Sequence, residues 1–397
     1  MPRVSVIMPA YNAVRFLSEA VDSVLKQTFQ DFELIVVDDG STDRTRDVVA
    51  EFFDPRIHYI YQDNRGPAAA RNAGIAAARG EFIAPLDSDD LALPHRLTTQ
   101  MSYLEAEPAL SVVGSGYEWI DEQGQRIPWN NHSWQKYPEL NDLKDWLFDC
   151  PFVPSATMFR RTAWEDVNGF DEELIGPEDW NFWMRLVLKG HRMTWQHDVV
   201  CLYRHRQDSV SQNAQQQTAN CAKALRRIMA DPSFPPTLLR VGEQGLAIRY
   251  VDGTKRLYTS GLWNEGKTAL EEALRLDPGL LEGQPSRVED ELISACMDPL
   301  VDDPVFLLLS IFQNLPANGL VLRDRRRHML ARCHLESLVR GLGRRDIILV
   351  RKHLLPTAVM LPQQLCDHST WAFVRRAIEN RLRRLIRLVR RPKKGTS

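Results

Sequence analysis

The sequence predicts an α/β fold: a mainly parallel sheet flanked by helices, followed by a mainly helical C-terminal region. Three observations carry this. Short runs of aliphatic and β-branched residues recur through the first 90 positions, each ended by Gly, Pro, Asn, Asp or Ser. Stretches of helical period separate them, the spacing of strand–helix–strand units with both sheet faces covered. Beyond about residue 211 the strand-like runs cease.

The first run, 4–8, is continuous and apolar and ends at Pro9-Ala10-Tyr11-Asn12. A helix follows with Phe16, Leu17, Ala20, Val21, Val24 and Leu25 on one face. A second run, 33–37, ends in Asp38-Asp39-Gly40-Ser41-Thr42-Asp43, and Ser41 or Thr42 can cap the next helix, which holds Val48, Val49 and Phe52. A third, 57–61, leads through Gly66-Pro67 to a small-residue helix at 68–78 that carries Arg71. The fourth, 81–86, delivers Asp87-Ser88-Asp89-Asp90. Three carboxylates on four residues repel unless water, a cation or nearby donors neutralise them. Two readings follow: an acidic turn capping the helix that starts near Leu93-Pro94, or a divalent-metal site holding a diphosphate. In parallel sheets ligands bind at the carboxyl ends of strands, so Tyr11, Asp39 and 87–90 are expected in one crevice.

The middle reads as mixed: strands at 111–120, 157–159 and 199–203, and a polar, aromatic segment at 129–134 with the character of a binding loop. Glu178-Asp179 follow Gly176-Pro177 and open an amphipathic helix at 180–188, with proline and acids where a helix start favours them. The Gln- and Asn-rich stretch 212–220 reads as a linker or an exposed helix, and beyond it little suggests strands. Residues 257–278 resemble one tetratricopeptide hairpin without a second copy at a fixed period. Further helices are expected at 305–312 and 324–340, the latter stopped by Gly341 and Gly343. A last amphipathic helix, 371–391, lines Trp371, Val374, Ile378, Leu382, Leu385 and Val389 along one stripe amid arginines. The expected division is therefore 1–211, 212–370 and a basic tail at 371–397.

Totals narrow the class. With 397 residues, 44% hydrophobic, 26% charged and a net charge of −2, the chain suits a globular protein with two cores. Six scattered cysteines without a CxxC pair argue against a disulfide framework or a zinc site. The opening strand leaves no room for a signal peptide, and the longest apolar run, 305–312, is too short for a bilayer. A cytoplasmic protein, at most peripheral at the inner face of a membrane, is expected.

Six stretches in order, VSVIMPAYN (4–12), IVVDDGSTD (35–43), GPAAARNAG (66–74), GEFIAPLDSDD (80–90), GFDE (169–172) and EDWNFWMRL (178–186), resemble the family-2 glycosyltransferases of GT-A fold across the first half of the chain. The resemblance implies transfer of a sugar from a nucleotide donor, usually a UDP-sugar, to an acceptor hydroxyl with inversion. By that resemblance Pro9, Ala10, Tyr11 and Asp39 hold the base, and Arg71 the diphosphate. Asp87 supports the acid turn, Asp89 lies near ribose and metal, and Asp90 reaches the metal, Mg²⁺ or Mn²⁺ by its oxygen ligands. Asp179 becomes the candidate general base, needing burial or a like-charged neighbour to gain basicity. Glu178 is its neighbour, an acceptor contact, or a helix cap. Trp180 and Trp183 stack on a sugar or face the core.

The family's Tyr-Arg-x-His-x-x-Ser-x-Ser pattern is broken here. Arg206 stands where histidine is expected and His205 one position early. Either the loop shifts or Arg206 meets the diphosphate as a charge. The expected partners are a nucleotide-sugar donor, a glycan, lipid-linked or protein acceptor, and an anionic membrane surface met through 371–394; nucleic acid is not expected. A nucleotidyltransferase would need a glycine-rich phosphate loop with lysine near the first strand, which 9–12 is not. The alternative is a non-catalytic sugar-nucleotide binder or scaffold acting through its helical half.

Overall fold

The computed structural model describes residues 1–127, 140–206, 209, 213–299, 301–344 and 346–360. The expected binding loop at 129–134, the end of the 203–211 motif, and the basic tail lie wholly or partly outside these residues.

The chain forms two compact units, Met1–Arg249 and Tyr250 onward. In the first, β1 (Val4–Ala10), α1 (Leu17–Leu25), β2 (Phe32–Asp39), α2 (Thr45–Ala50), β3 (Ile57–Gln62), α3 (Pro67–Ala77) and β4 (Phe82–Pro85) alternate as the periodicity predicts. There follow β5 (Leu91–Ala92), α4 (Arg96–Ala106), β6 (Leu110–Ile120), α5 (Leu143–Trp146), β7 (Thr157–Arg160), α6 (Arg161–Asp166), α7 (Glu178–Leu188), β8 (Arg192–Arg204) and α8 (Ala214–Met229). Among the described residues they make one eight-stranded sheet, ordered β3-β2-β1-β4-β7-β6-β8-β5.

From β3 to β4, where helical crossovers feed it, the sheet is wholly parallel. Past β4 it is mixed: β7 runs antiparallel to both β4 and β6, whereas β6 and β8 are parallel. The core of the parallel half comes from residues such as Val6, Met8, Leu34, Val36 and Ala84, which the helices cover.

Gly74 lets α3 lie close on the sheet, since a Cβ there would sit 2.7 Å from a methyl of Ile7. In the mixed half, Phe152 packs edge-on to Trp146, Trp183 and Trp195. Its ring fills the space over Gly114 on β6, where a Cβ would fall 2.1 Å from a ring carbon. Gly114→Ala should therefore overpack this cluster and cost roughly 1–3 kcal/mol, read as a lower midpoint in urea at unchanged slope.

The second unit is helical among its described residues. The 257–278 hairpin comprises the end of α9 (Leu239–Thr259) and α10 (Trp263–Leu276), with Gly266 seated on the ring of Tyr258. Next come α11 (Arg287–Cys296), α12 (Pro304–Gln313), α13 (Arg326–Arg344) and α14 (Ile347–Met360). The expected stop at Gly341 and Gly343 does not occur, for α13 continues to Arg344. Two helical glycines cost about 1 kcal/mol each, and tertiary bonds hold the last turns, where the Arg340 guanidinium donates to the carbonyls of Met297 and Asp298. No helix among the described residues is long and apolar enough to cross a membrane.

Candidate active site

β1, β2 and β4 run parallel in register, so the chain leaves all three at the same edge of the sheet. There the first two loops are laced together. Ser41 Oγ accepts from the Asn12 N–H, Asn12 Oδ1 accepts from the Thr42 N–H, and Thr45 Oγ1 accepts from the Ala13 N–H. Asn12 takes the left-handed conformation that asparagine tolerates, and Pro9 and buried Ala10 lead into it. Tyr11 is left 52% exposed, with Tyr61 at the end of β3 59% exposed. Asp39 is buried and accepts three bonds, from Gln62 Nε2 (2.6 Å) and from the backbone N–H groups of Arg65 (3.0 Å) and Gly66 (2.8 Å). Asp39 thus ties the start of α3 to the end of β2.

The acid turn is gripped from several sides. The Asp87 N–H donates to Ser155 Oγ at 3.0 Å. Arg71, whose side chain is 5% exposed, donates to Asp87 Oδ1 and to Glu178 Oε1, both at 2.6 Å. Next to it Asn72 accepts from Phe170 N and Trp164 Nε1 and donates to the Phe170 carbonyl, so the GPAAARNAG helix and the GFDE loop are physically joined. Gly169, at φ +77°, brings the loop within reach; a Cβ there would lie 2.7 Å from Asn72 Oδ1.

Arg204, unassigned by the sequence reading, clamps the turn from β8. Its N–H donates to Asp90 Oδ1 (2.8 Å), its Nε to the Asp89 carbonyl (2.7 Å) and its Nη2 to Glu19 (2.8 Å). Its only sequence signal was its place beside Tyr203 in the broken motif. Of the two candidates that follow, Arg206 reaches Asp89 Oδ2 at 3.0 Å. His205 is exposed, continues the pairing with Ile120 and sets its ring 5.9 Å from that of Trp119.

Asp179 and Glu178 open α7. Both Glu178 oxygens are engaged, one with Arg71 and the other with the Gly176 N–H at 2.7 Å. Asp179 Oδ1 accepts from the Trp180 N–H at 2.7 Å. Burial, then the Glu178 charge, push its carboxyl up to about 7 against the pull of Arg71. Trp180 and Trp183 both face the core, with Trp180 Nε1 donating to the Trp146 carbonyl. The loop before α7 is strapped by α8: Asn220 Nδ2 donates to the Ile175 carbonyl (2.7 Å), Lys223 to that of Glu173 (3.2 Å), and Arg227 pairs with Asp171 and Glu173. Nothing in the glutamine-rich sequence of α8 announces this.

The structure therefore joins Arg71, Asp87 and Glu178 in one bonded network with Asp179 within reach of its charges, and pairs Asp89 with Arg206, while Asp39 and Tyr11 stand at the β1–β2 side of the same edge. Burial raises Asp89, with Asp87 adding and Arg206 opposing; it raises Asp90 well above the usual range, with Asp89 and Asp87 adding. Among the described residues no three His, Cys, Asp or Glu side chains converge as a full metal shell. A hard cation that takes one or two carboxylates and draws its other ligands from phosphate and water still fits. Asp90 is 1% exposed, and its Oδ2 has no hydrogen-bond partner.

The profile described as Glycosyl transferase family 2 matches residues 5–167. An uncharacterised glycosyltransferase of Rickettsia felis is 36% identical over 189 residues, which are 47% of this chain but only 31% of that protein. Glycosyltransferase GlyG of Streptococcus pneumoniae is 30% identical over 224 residues, 52% of this chain and 72% of GlyG. In fold, the chain is similar to S. aureus TarS 1-349, solved in complex with UDP, with a TM-score of 0.53 and 22% identity over 81% of this chain and 91% of that one.

Proposed function

Because the chain belongs to glycosyl transferase family 2 and has the GT-A fold, we propose that it is an inverting, metal-assisted glycosyltransferase. It moves a sugar from a nucleoside-diphosphate donor, taken to be a UDP-sugar, to an acceptor hydroxyl in assembly of a glycan or glycoconjugate. The observation that carries this reading is the Arg71 bridge, which holds the acid turn and the loop of Asp179 on one crevice. A carboxyl raised to about 7 beside an acid turn at a strand-end crevice is the kind of group a proton-transfer site uses, which favours an enzyme over a binder.

In this reading the base lies against Tyr11 near Asp39, and the diphosphate over Asp89 and Asp90. A divalent cation held there by Asp90 and Asp89 would neutralise charge on the leaving diphosphate. Asp179 takes the acceptor's proton as the acceptor oxygen attacks the anomeric carbon, on the face opposite the bond to phosphate that breaks. Glu178 keeps Asp179 basic, and Arg71 holds Glu178. The fold likeness to a UDP-bound enzyme agrees with a UDP donor, and a lipid-linked acceptor would suit the basic 371–394 segment.

Screening nucleotide sugars with Mn²⁺ for nucleotide release and thermal shift tests the proposal; no response to any UDP- or GDP-sugar would end it. With an active donor, kcat/KM should rise about tenfold per pH unit up to pH about 7 and then level. The sign follows from Asp179, which acts only when ionised and ionises as pH rises through about 7. A flat profile from pH 5.5 to 8.5 would assign the proton to another group.

A further inference from the structure

Besides Arg204, two arginines pair with carboxylates of the acid turn, and they are held very differently. Arg71 is fixed: its side chain is 5% exposed, and two of its nitrogens are bound to Asp87 and Glu178. Moving this guanidinium off those two carboxylates would uncouple the base loop from the turn. Arg206 is half-buried at 25% side-chain exposure, lies over the Phe16 ring at 5.5 Å and pairs with Asp89, itself 23% exposed. Such a pair is weak enough to exchange. Asp89 Oδ2, which Arg206 occupies, belongs to one of the two carboxylates expected to face a metal.

We propose that Arg206 is an exchangeable cation of the donor site. In the nucleotide-free protein it neutralises Asp89. When a nucleoside diphosphate arrives, the guanidinium moves to the phosphate oxygens and frees Asp89 for the divalent cation. Guanidinium and phosphate form short, two-pronged, charge-assisted bonds, which makes the transfer favourable. The inference rests on the glycosyltransferase reading and deepens it. Arg206 supports the leaving group together with the metal, and it competes with that metal while the nucleotide is absent.

The two roles give opposite signs, which a merely structural residue would not. In the full chain, Arg206→Ala should weaken UDP binding in EDTA by about 10- to 100-fold, the range for loss of a hydrogen bond between charged groups. The same variant without nucleotide should bind Mn²⁺ roughly 2- to 5-fold more tightly, because a partly exposed competing ion pair has been removed. Calorimetry reads the first and Mn²⁺ electron paramagnetic resonance the second. Arg206→Lys should keep part of the metal-free UDP binding, and its circular dichroism should match the parent's. Parallel loss of both affinities in Arg206→Ala, or no change in either, would overturn the exchange while leaving the enzyme reading intact. Failure of the unaltered protein to bind UDP or GDP, with or without Mn²⁺, would overturn both.

Discussion

Asp179→Asn is expected to slow sugar transfer by about 10²- to 10⁴-fold, the contribution of a positioned general base, with UDP–Mn²⁺ affinity nearly unchanged. The asparagine fills the same volume and can still accept from the Trp180 N–H. The same change should stabilise the protein. Asp179 has a folded-state value of about 7 against an ordinary 3.8, a raised carboxyl. A raised carboxyl favours the folded state at low pH and loses that advantage as pH rises from about 4 to about 7. The gain from asparagine should thus grow across that window and be flat above it. It should reach at most roughly 4 kcal/mol, the equivalent of about three pKa units, a net shift in which the pull of Arg71 is already counted. Thermal melts at pH 5 and 8 with turnover assays check both halves. Transfer that survives would move the base elsewhere; stability that falls would contradict the burial argument.

Asp90→Asn should remove the metal's effect on nucleotide binding. An amide retains the acceptor for the Arg204 N–H but cannot donate negative charge to a cation. UDP affinity in Mn²⁺ should fall about 100-fold, toward the value in EDTA, as expected for loss of a charged contact. Calorimetry in parallel with and without Mn²⁺ measures it. An unchanged ratio of the two affinities would take Asp90 out of the metal role.

The donor half was legible because its strands are buried on both faces and so read as unbroken apolar runs: 4–8, 33–37 and 81–86 correspond to β1, β2 and β4. The mixed half gave weaker signals. β8 extends from Arg192 to Arg204, far beyond the expected 199–203, because its outer part alternates polar residues and its pairing with β6 shifts register. The acids of the site stood in plain view, but their pairing did not. Arg71 meets Asp87 sixteen positions away and Glu178 107 positions away. No periodicity encodes a bond of that span, nor the clamp that Arg204 makes from another strand. Arg71, expected on the diphosphate, also joins Asp87 to Glu178, a second task that its place in a small-residue helix does not announce. The strap of α8 was invisible for a simpler reason: its residues 215–217 are glutamines, and its useful side chains act one at a time on the loop.

That strap divides the enzyme along a seam. The family profile ends at residue 167, and the loop beyond it that leads into α7 is bound down by α8 as well as by α3. On the proposed reading, donor binding and proton removal form two cassettes, joined where Arg71 and Asn72 of α3 grasp Glu178 and Phe170. A lineage could replace the second cassette, keep those two grips, and turn the same activated sugar toward a different acceptor.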